Sequence, residues 1–172
     1  MMTGRPRTAA VHLSLAVLLL AGLAACGDPQ EYTVPSKACG RDMDRDRLAE
    51  LLPSGERLQD EPSASNQPFS CEIHVDDVME LVLTERSGQR EFDVLTYAKQ
   101  GRLGGFEQPR ASDVSDNAVV SRTRTVVMVP CPKTGKNYIL DLDLPNTEKD
   151  HSEDLERFAR SYLPTGLAAL GC

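Results

Sequence analysis

The chain has 172 residues, 19 Lys+Arg against 26 Asp+Glu, and a formal net charge of −7. An acidic balance argues against nucleic acid as a partner, because a phosphate backbone selects a basic face. With four Phe, four Tyr and no Trp, the chain gives no support to an aromatic carbohydrate-binding platform.

The N-terminus carries an address. Arg5 and Arg7 precede an apolar run of 15 residues, Val11 to Ala25, and no acid occurs before Asp28. As a helix this run reaches only about 22 Å, short of the roughly 30 Å hydrocarbon core. A charged start, a short apolar middle and small residues before a cut site make a secretory signal. Its end, Leu23-Ala24-Ala25-Cys26, resembles the lipobox of bacterial lipoproteins. That resemblance implies that residues 1–25 are removed and that Cys26 becomes the acylated first residue. Two or more acyl chains, of which palmitate is one type, anchor a protein stably, whereas a single chain holds it marginally.

Cleavage would leave 147 residues, enough for one domain with a real core. It removes Arg5 and Arg7, so 17 Lys+Arg face 26 Asp+Glu and the mature charge becomes about −9. That length is too short for the two lobes of an ordinary transporter receptor. Five cysteines are present: Cys26, Cys39, Cys71, Cys131 and Cys172. An odd count in an exported chain flags a spare thiol. Lipidation of Cys26 accounts for it, and an oxidising compartment favours two disulfides among the rest. Three pairings are possible; Cys39–Cys71 with Cys131–Cys172 is favoured because each closes a local unit.

Residues 26–38 read as a lipidated cysteine and a polar tether, and the domain is expected over 39–172. Asp42 to Leu52 reads as a helix, with Asp44 as cap, Met43 and Leu48 at staple spacing and Pro53 as stop. Residues 59–68 read as a loop. Phe69, Cys71, Ile73 and Val75 alternate with polar residues, the period of a half-buried strand. Asp76-Asp77 turns the chain into a second strand, Val78 to Glu85. Phe92, Leu95 and Ala98 place a helix over 90–100, ended by Gly101, and a loop follows over 101–113. Ala118 to Val129 and the alternating Asn137–Leu144 stretch read as strands joined through PCPKTGKN. A final helix starts near Ser152, where Leu155, Phe158, Ala159, Tyr162 and Leu163 form an apolar stripe. Asp150 with Glu153 resembles a capping box, and Pro164 is expected to kink or break the helix. The fold class is therefore α+β: one domain, an antiparallel sheet with packed helices, in the rough order α-β-β-α-β-β-α.

This layout of lipobox, tether and four cysteines on helix and strand ends resembles small actinobacterial cell-envelope lipoproteins. The resemblance implies an extracytoplasmic location at the cell membrane and attaches no reaction.

The short motifs are weak. Asp42, Asp44 and Asp46 are similar to the start of a calcium loop, but Arg47 and Pro53 stand where such a loop needs Gly and Glu. Thr134-Gly135-Lys136-Asn137 lacks the flanking Gly and Ser/Thr of a phosphate loop. Cys71 and His74 have metal-ligand spacing, yet on a strand they point to opposite faces. No metal and no cofactor is expected, and His74 reads as a solvent-facing strand residue. Arg122 and Arg124 would share one strand face and are a weak candidate for holding an anion. No G-x-S-x-G occurs, and no catalytic residues are assigned. The expected function is a membrane-anchored, non-enzymatic binding or accessory module whose partner is an envelope protein or small ligand. The alternative is a small envelope hydrolase with an unrecognised site.

Overall fold

The computed structural model describes residues 30–63 and 68–172. The expected signal and lipobox, with Cys26, lie outside the described residues. Among the described residues, no helix is long and apolar enough to cross a membrane.

The architecture is α+β. Strands β1 (Lys37–Ala38) and β2 (Arg41–Asp42) form a small hairpin, and helix α1 spans Arg45–Ala49. Strands β3 (Leu58–Pro62), β4 (Phe69–Val75) and β5 (Val78–Gln89) lead to helix α2 (Val94–Lys99). Strands β6 (Arg110–Ala111), β7 (Asn117–Val120), β8 (Arg124–Cys131) and β9 (Lys136–Asp143) precede helix α3 (Ser152–Ala169). Seven of the strands make one antiparallel sheet in the order β3-β4-β5-β9-β8-β7-β6. The central pair β5–β9 joins the two halves of the chain, with Leu83 opposite Leu142 and Glu85 opposite Leu140.

The helices cover both faces. On one face α1 and α3 enclose the larger core, which includes Ile73, Leu81, Leu83, Leu140, Leu142, Phe158 and Tyr162. On the other, α2 sets Val94 and Ala98 against Val119, Val126, Met128 and Ile139. Strand β9 is therefore buried on both sides: Tyr138, Ile139, Leu140, Asp141 and Leu142 are all buried.

Local chemistry explains the element ends. The Asp44 carboxylate accepts from Asp46 N and Arg47 N at 3.1 and 3.2 Å, so α1 begins at its expected cap. It is shorter than the expected 42–52, because Leu51 and Leu52 close back to Leu48 and Ala49 in a tightened last turn. Asp93 caps α2 by accepting from Thr96 N at 2.8 Å. Asp76 and Asp77 both take positive φ, 52° and 67°, the geometry of the expected two-residue hairpin turn.

Several expectations need correction. Residues 58–62 form an edge strand, although LQDEP has no apolar alternation. Its register with β4 comes from backbone pairing, from Leu58 opposite Val75 to Pro62 opposite Cys71. The segment after 101 contains the short strand β6. The single strand expected over 118–129 is two, β7 and β8, folded back at residues 121–123, and the element order is longer than the one expected. At α3, Asp150 accepts from Ser152 N at 2.9 Å, but His151 occupies the cap position and no capping box forms. The helix runs through Pro164. Losing that ladder bond costs about 3 kcal/mol in an open helix. Here burial of Tyr162, Leu163 and Gly166 on the sheet offsets it.

Core packing also begins upstream of Cys39. Val34 is buried, and Glu31 N donates to Gly55 O at 2.9 Å. The stretch read as tether is thus docked on the domain from Glu31 onward. Two disulfides close the domain. Cys39–Cys71, with Cα atoms 5.7 Å apart, ties the β1–β2 hairpin to β4. Cys131–Cys172, at 4.7 Å, ties the C-terminus to β8. Both distances suit an ordinary disulfide.

Candidate functional site

Arg122 and Arg124 do not share a strand face. Arg124 lies on β8, whereas Arg122 lies in the turn before it and donates to the Glu148 carbonyl. Arg124 grips Asp141 in a two-point fork, Nε–Oδ1 3.0 Å and Nη2–Oδ2 2.8 Å. Its Nη1 donates to Gly104 O at 2.9 Å, and the guanidinium sits 5.2 Å from the Phe106 ring centre. The fork is occupied by a carboxylate, so Arg124 straps the 101–109 loop to the sheet instead of receiving an anion. Gly105 is required at this strap, with φ +61° and a Cβ position 2.8 Å from Arg124 Nη1.

A cavity of about 530 Å³ opens beside this strap, lined by Glu107, Arg122, Asp143 and Glu148 among others. Its acids outnumber its base, which disfavours anions. Burial pushes the Asp143 carboxyl above the usual carboxylate range; Arg124 opposes the shift and Asp141 reinforces it. Because the folded pKa is raised, the folded state holds this proton more tightly than the unfolded chain. Stability is then greatest with Asp143 protonated and falls as pH rises above the unfolded value of about 3.9. Asp143→Asn should therefore raise the melting temperature at pH 7 by about 1–2 °C, the small gain from removing one half-buried charge. The difference from wild type should close below about pH 4, near the unfolded carboxyl pKa. A scan of melting temperature against pH checks this; a variant less stable at pH 7 refutes it.

The other sequence motifs separate in space. Asp42 lies in β2, Asp44 caps α1 and Asp46 lies in its first turn. Residues 132–135 are a hairpin turn, where Thr134 N and Gly135 N both donate to Cys131 O at 3.1 Å. Cys71 is buried in its disulfide. His74 is half-buried on the other face of β4, with Nε2 3.5 Å from Glu72 Oε2, so it is less solvent-facing than expected. Among the described residues, no group of three His, Cys, Asp or Glu is placed to hold a metal ion.

A broad concavity lies at the end of the sheet where β8 turns into β9. It has about 850 Å³ and is lined by Glu91, by Ser112–Asn117 and by Met128–Pro130 and Asn137. A second hollow of about 420 Å³ adjoins it, sharing Glu91, Ser112, Asp116 and Asn117. Asn117 organises this cleft. Its Oδ1 accepts from Val94 N at 3.0 Å, and its Nδ2 donates to Phe92 O at 2.7 Å. It thereby joins β7 to the start of α2. The Ser115 hydroxyl donates to Met128 O at 3.2 Å and accepts from Asn117 N at 3.3 Å. That serine is committed to the backbone, not activated by a base. The rim carries Glu91, Asp113 and Asp116, with Asp113 paired to Arg160 at 2.8 Å. Such a cleft suits a donor-rich or cationic group. None of these cleft residues stands out as a site in the sequence, because Asn117 and Ser115 act through backbone partners 13 to 25 positions away.

A second polar feature is sealed inside the larger core. Glu85 is fully buried on β5. Tyr138 OH donates to its Oε1 at 2.9 Å, and Arg41 Nε donates to its Oε2 at 3.0 Å. Arg41 also lies 4.1 Å over the Phe69 ring. Burial and the neighbouring carboxylate push both the Tyr138 and the Tyr162 hydroxyls well above their ordinary pKa. The Tyr162 hydroxyl is buried beside this group without a well-formed hydrogen bond. The signal in the sequence was the parity of β5: Leu81, Leu83 and Glu85 all point inward, so an acid falls at a core position. Its role is to pin the β1–β2 hairpin to the sheet. Compared with known proteins, the chain matches no family, no curated protein and no solved structure.

Proposed function

We propose that the chain is an extracytoplasmic binding module, held to the cell membrane by an acylated Cys26. One observation carries this reading. The four cysteines of the domain are consumed in Cys39–Cys71 and Cys131–Cys172, which leaves the cysteine of LAAC as the one unclaimed thiol of five. Two structural disulfides belong to an oxidising compartment, and a spare cysteine at the end of a short apolar run is the substrate of lipidation. The binding surface is the acid-rimmed cleft around Asn117, whose hydroxyls and amide are spent on holding its own backbone.

Two experiments test the reading. Wild-type protein grown with an alkyne-labelled palmitate analogue should carry the label and sediment with membranes. Cys26→Ala should lose both the label and the membrane fraction. An unlabelled, soluble wild type would end the anchoring part. For the cleft, a photo-crosslinker at Asp116 should capture a specific partner that a crosslinker at Arg57 does not. Identical products from both positions would remove the cleft as the binding surface.

A further inference from the structure

We infer that the domain stands on the bilayer with the β4–β5 turn toward the headgroups and the Asn117 cleft facing away. This rests on the acylated Cys26. From Cys26 to Gln30 is four Cα steps, which span about 14 Å at most. The chain is then already bound to the domain. Glu31 N donates to Gly55 O, the Tyr32 hydroxyl donates to Pro53 O, and Val34 is buried. Gly55 is packed against the β4–β5 turn, since a Cβ there would meet Val75 Cγ1 and Asp76 Oδ2 at 2.4 and 2.6 Å. Asp76 also accepts from Arg57 N at 2.9 Å. The tether therefore joins the domain at the Asp76-Asp77 end of the sheet.

The cleft is at the other end. Strand β5 starts at this turn and runs to Gln89, which pairs with Asn137 in the cleft wall. Eleven strand steps from Val78 to Gln89 cover about 36 Å. A 14 Å tether cannot set the cleft end on the membrane while the turn end stands clear of it.

Charge decides between upright and flat. The turn end is exposed and acidic: Glu31, Glu56, Asp76 and Asp77, with Arg57 paired to Asp77 at 2.6 Å. The tether holds this pole near the lipid in either pose. Tipping the domain over would only bring more of an acidic protein within a Debye length, about 8 Å, of an anionic surface. Among the described residues the exposed large apolar side chain is Val78, at 46%, and it lies on the same pole. A partner of the cleft would then approach from the periplasmic or wall side, not from the lipid.

The test uses the full lipidated chain in vesicles of phosphatidylcholine and phosphatidylglycerol carrying a headgroup energy acceptor. A donor dye is attached through azidophenylalanine in Asp77→azidophenylalanine or Lys133→azidophenylalanine, which leaves the disulfides intact. Transfer should be strong from position 77 and several-fold weaker from position 133. Equal transfer, or stronger transfer from 133, overturns the orientation. A 15-residue Gly/Ser spacer inserted after Asp28 should narrow the difference; an unchanged difference means the tether does not set the pose and also overturns the inference. Vesicle flotation separates the two layers of the reading. Wild type that fails to float removes the anchor and the orientation together, whereas floating protein with equal transfer removes only the orientation.

Discussion

Arg41→Met is expected to destabilise the domain by about 3 kcal/mol, the lower end for breaking a buried ion pair from one side. Glu85 has no exposed surface, whereas the Arg41 side chain keeps 19% of its own. Removing the guanidinium leaves a carboxylate in the core with Tyr138 as its remaining donor. The lower end of the range applies because Arg41 is partly solvated and water can reach its place. At roughly 2–4 °C per kcal/mol for a domain of this size, the melting temperature should fall by about 6–12 °C. Arg41→Lys keeps the charge but not the Nε–H donor, so it should fall between wild type and Arg41→Met. The decisive comparison is Arg41→Met with Glu85→Gln. An amide keeps an acceptor for Tyr138 and removes the unpaired charge, so the double variant should recover more than half of the loss. Urea titration of the four proteins measures this as a double-mutant cycle. A cost under about 1 kcal/mol for Arg41→Met, or no recovery in the double variant, would show that the pair does not hold the hairpin.

Gly166→Ala should be nearly as damaging, although alanine is normally the better helix former. Gly166 lies on the buried side of α3, where its ideal Cβ would be 2.1 Å from Tyr138 Oη and 2.5 Å from Glu85 Oε1. Neither neighbour can move freely, because Tyr138 and Glu85 hold each other and both are fully buried. Overpacking of a rigid core costs about 3 kcal/mol at its upper range. The gain in helix propensity returns about 1 kcal/mol. A net loss of about 2 kcal/mol, or roughly 4–8 °C in melting temperature, is expected. In a Tyr138→Phe background the nearest clashing atom is gone, so the additional cost of Gly166→Ala should shrink markedly. If alanine stabilises the protein, or the cost is unchanged in that background, α3 does not approach the sheet as closely as described.

The fold was legible wherever the pattern was local. The period of two in Phe69–Val75, the Asp76-Asp77 turn into β5, the stripe from Leu155 to Leu163 and the cap at Asp44 each lie within a few residues. They specify elements without reference to the rest of the chain. The disulfides lie between: the cysteine count implied two, but three pairings stayed open until the fold set Cys39 beside Cys71 and Cys131 beside Cys172. The misreadings share a cause. Strand β3 has no apolar period, because an edge strand forms by backbone pairing alone. Pro164 stays helical because of what α3 packs against. The arginine pair separated because a turn at 121–123, with no Gly or Pro to mark it, folds β7 back on β8.

The sequence by itself determined the cysteine count and the α+β class, because each rests on residue type and short spacing. Only the tertiary structure decided which polar groups matter. Arg41 meets Glu85 across 44 positions, Tyr138 meets it across 53, and Arg124 meets Asp141 across 17. Such pairs carry no periodic signature, because their partners are chosen by strand order and register. The cleft around Asn117 and its distance from the Asp76-Asp77 turn follow from the same choice: β5 pairs with β9, and that pairing sends the two ends of the sheet to opposite poles.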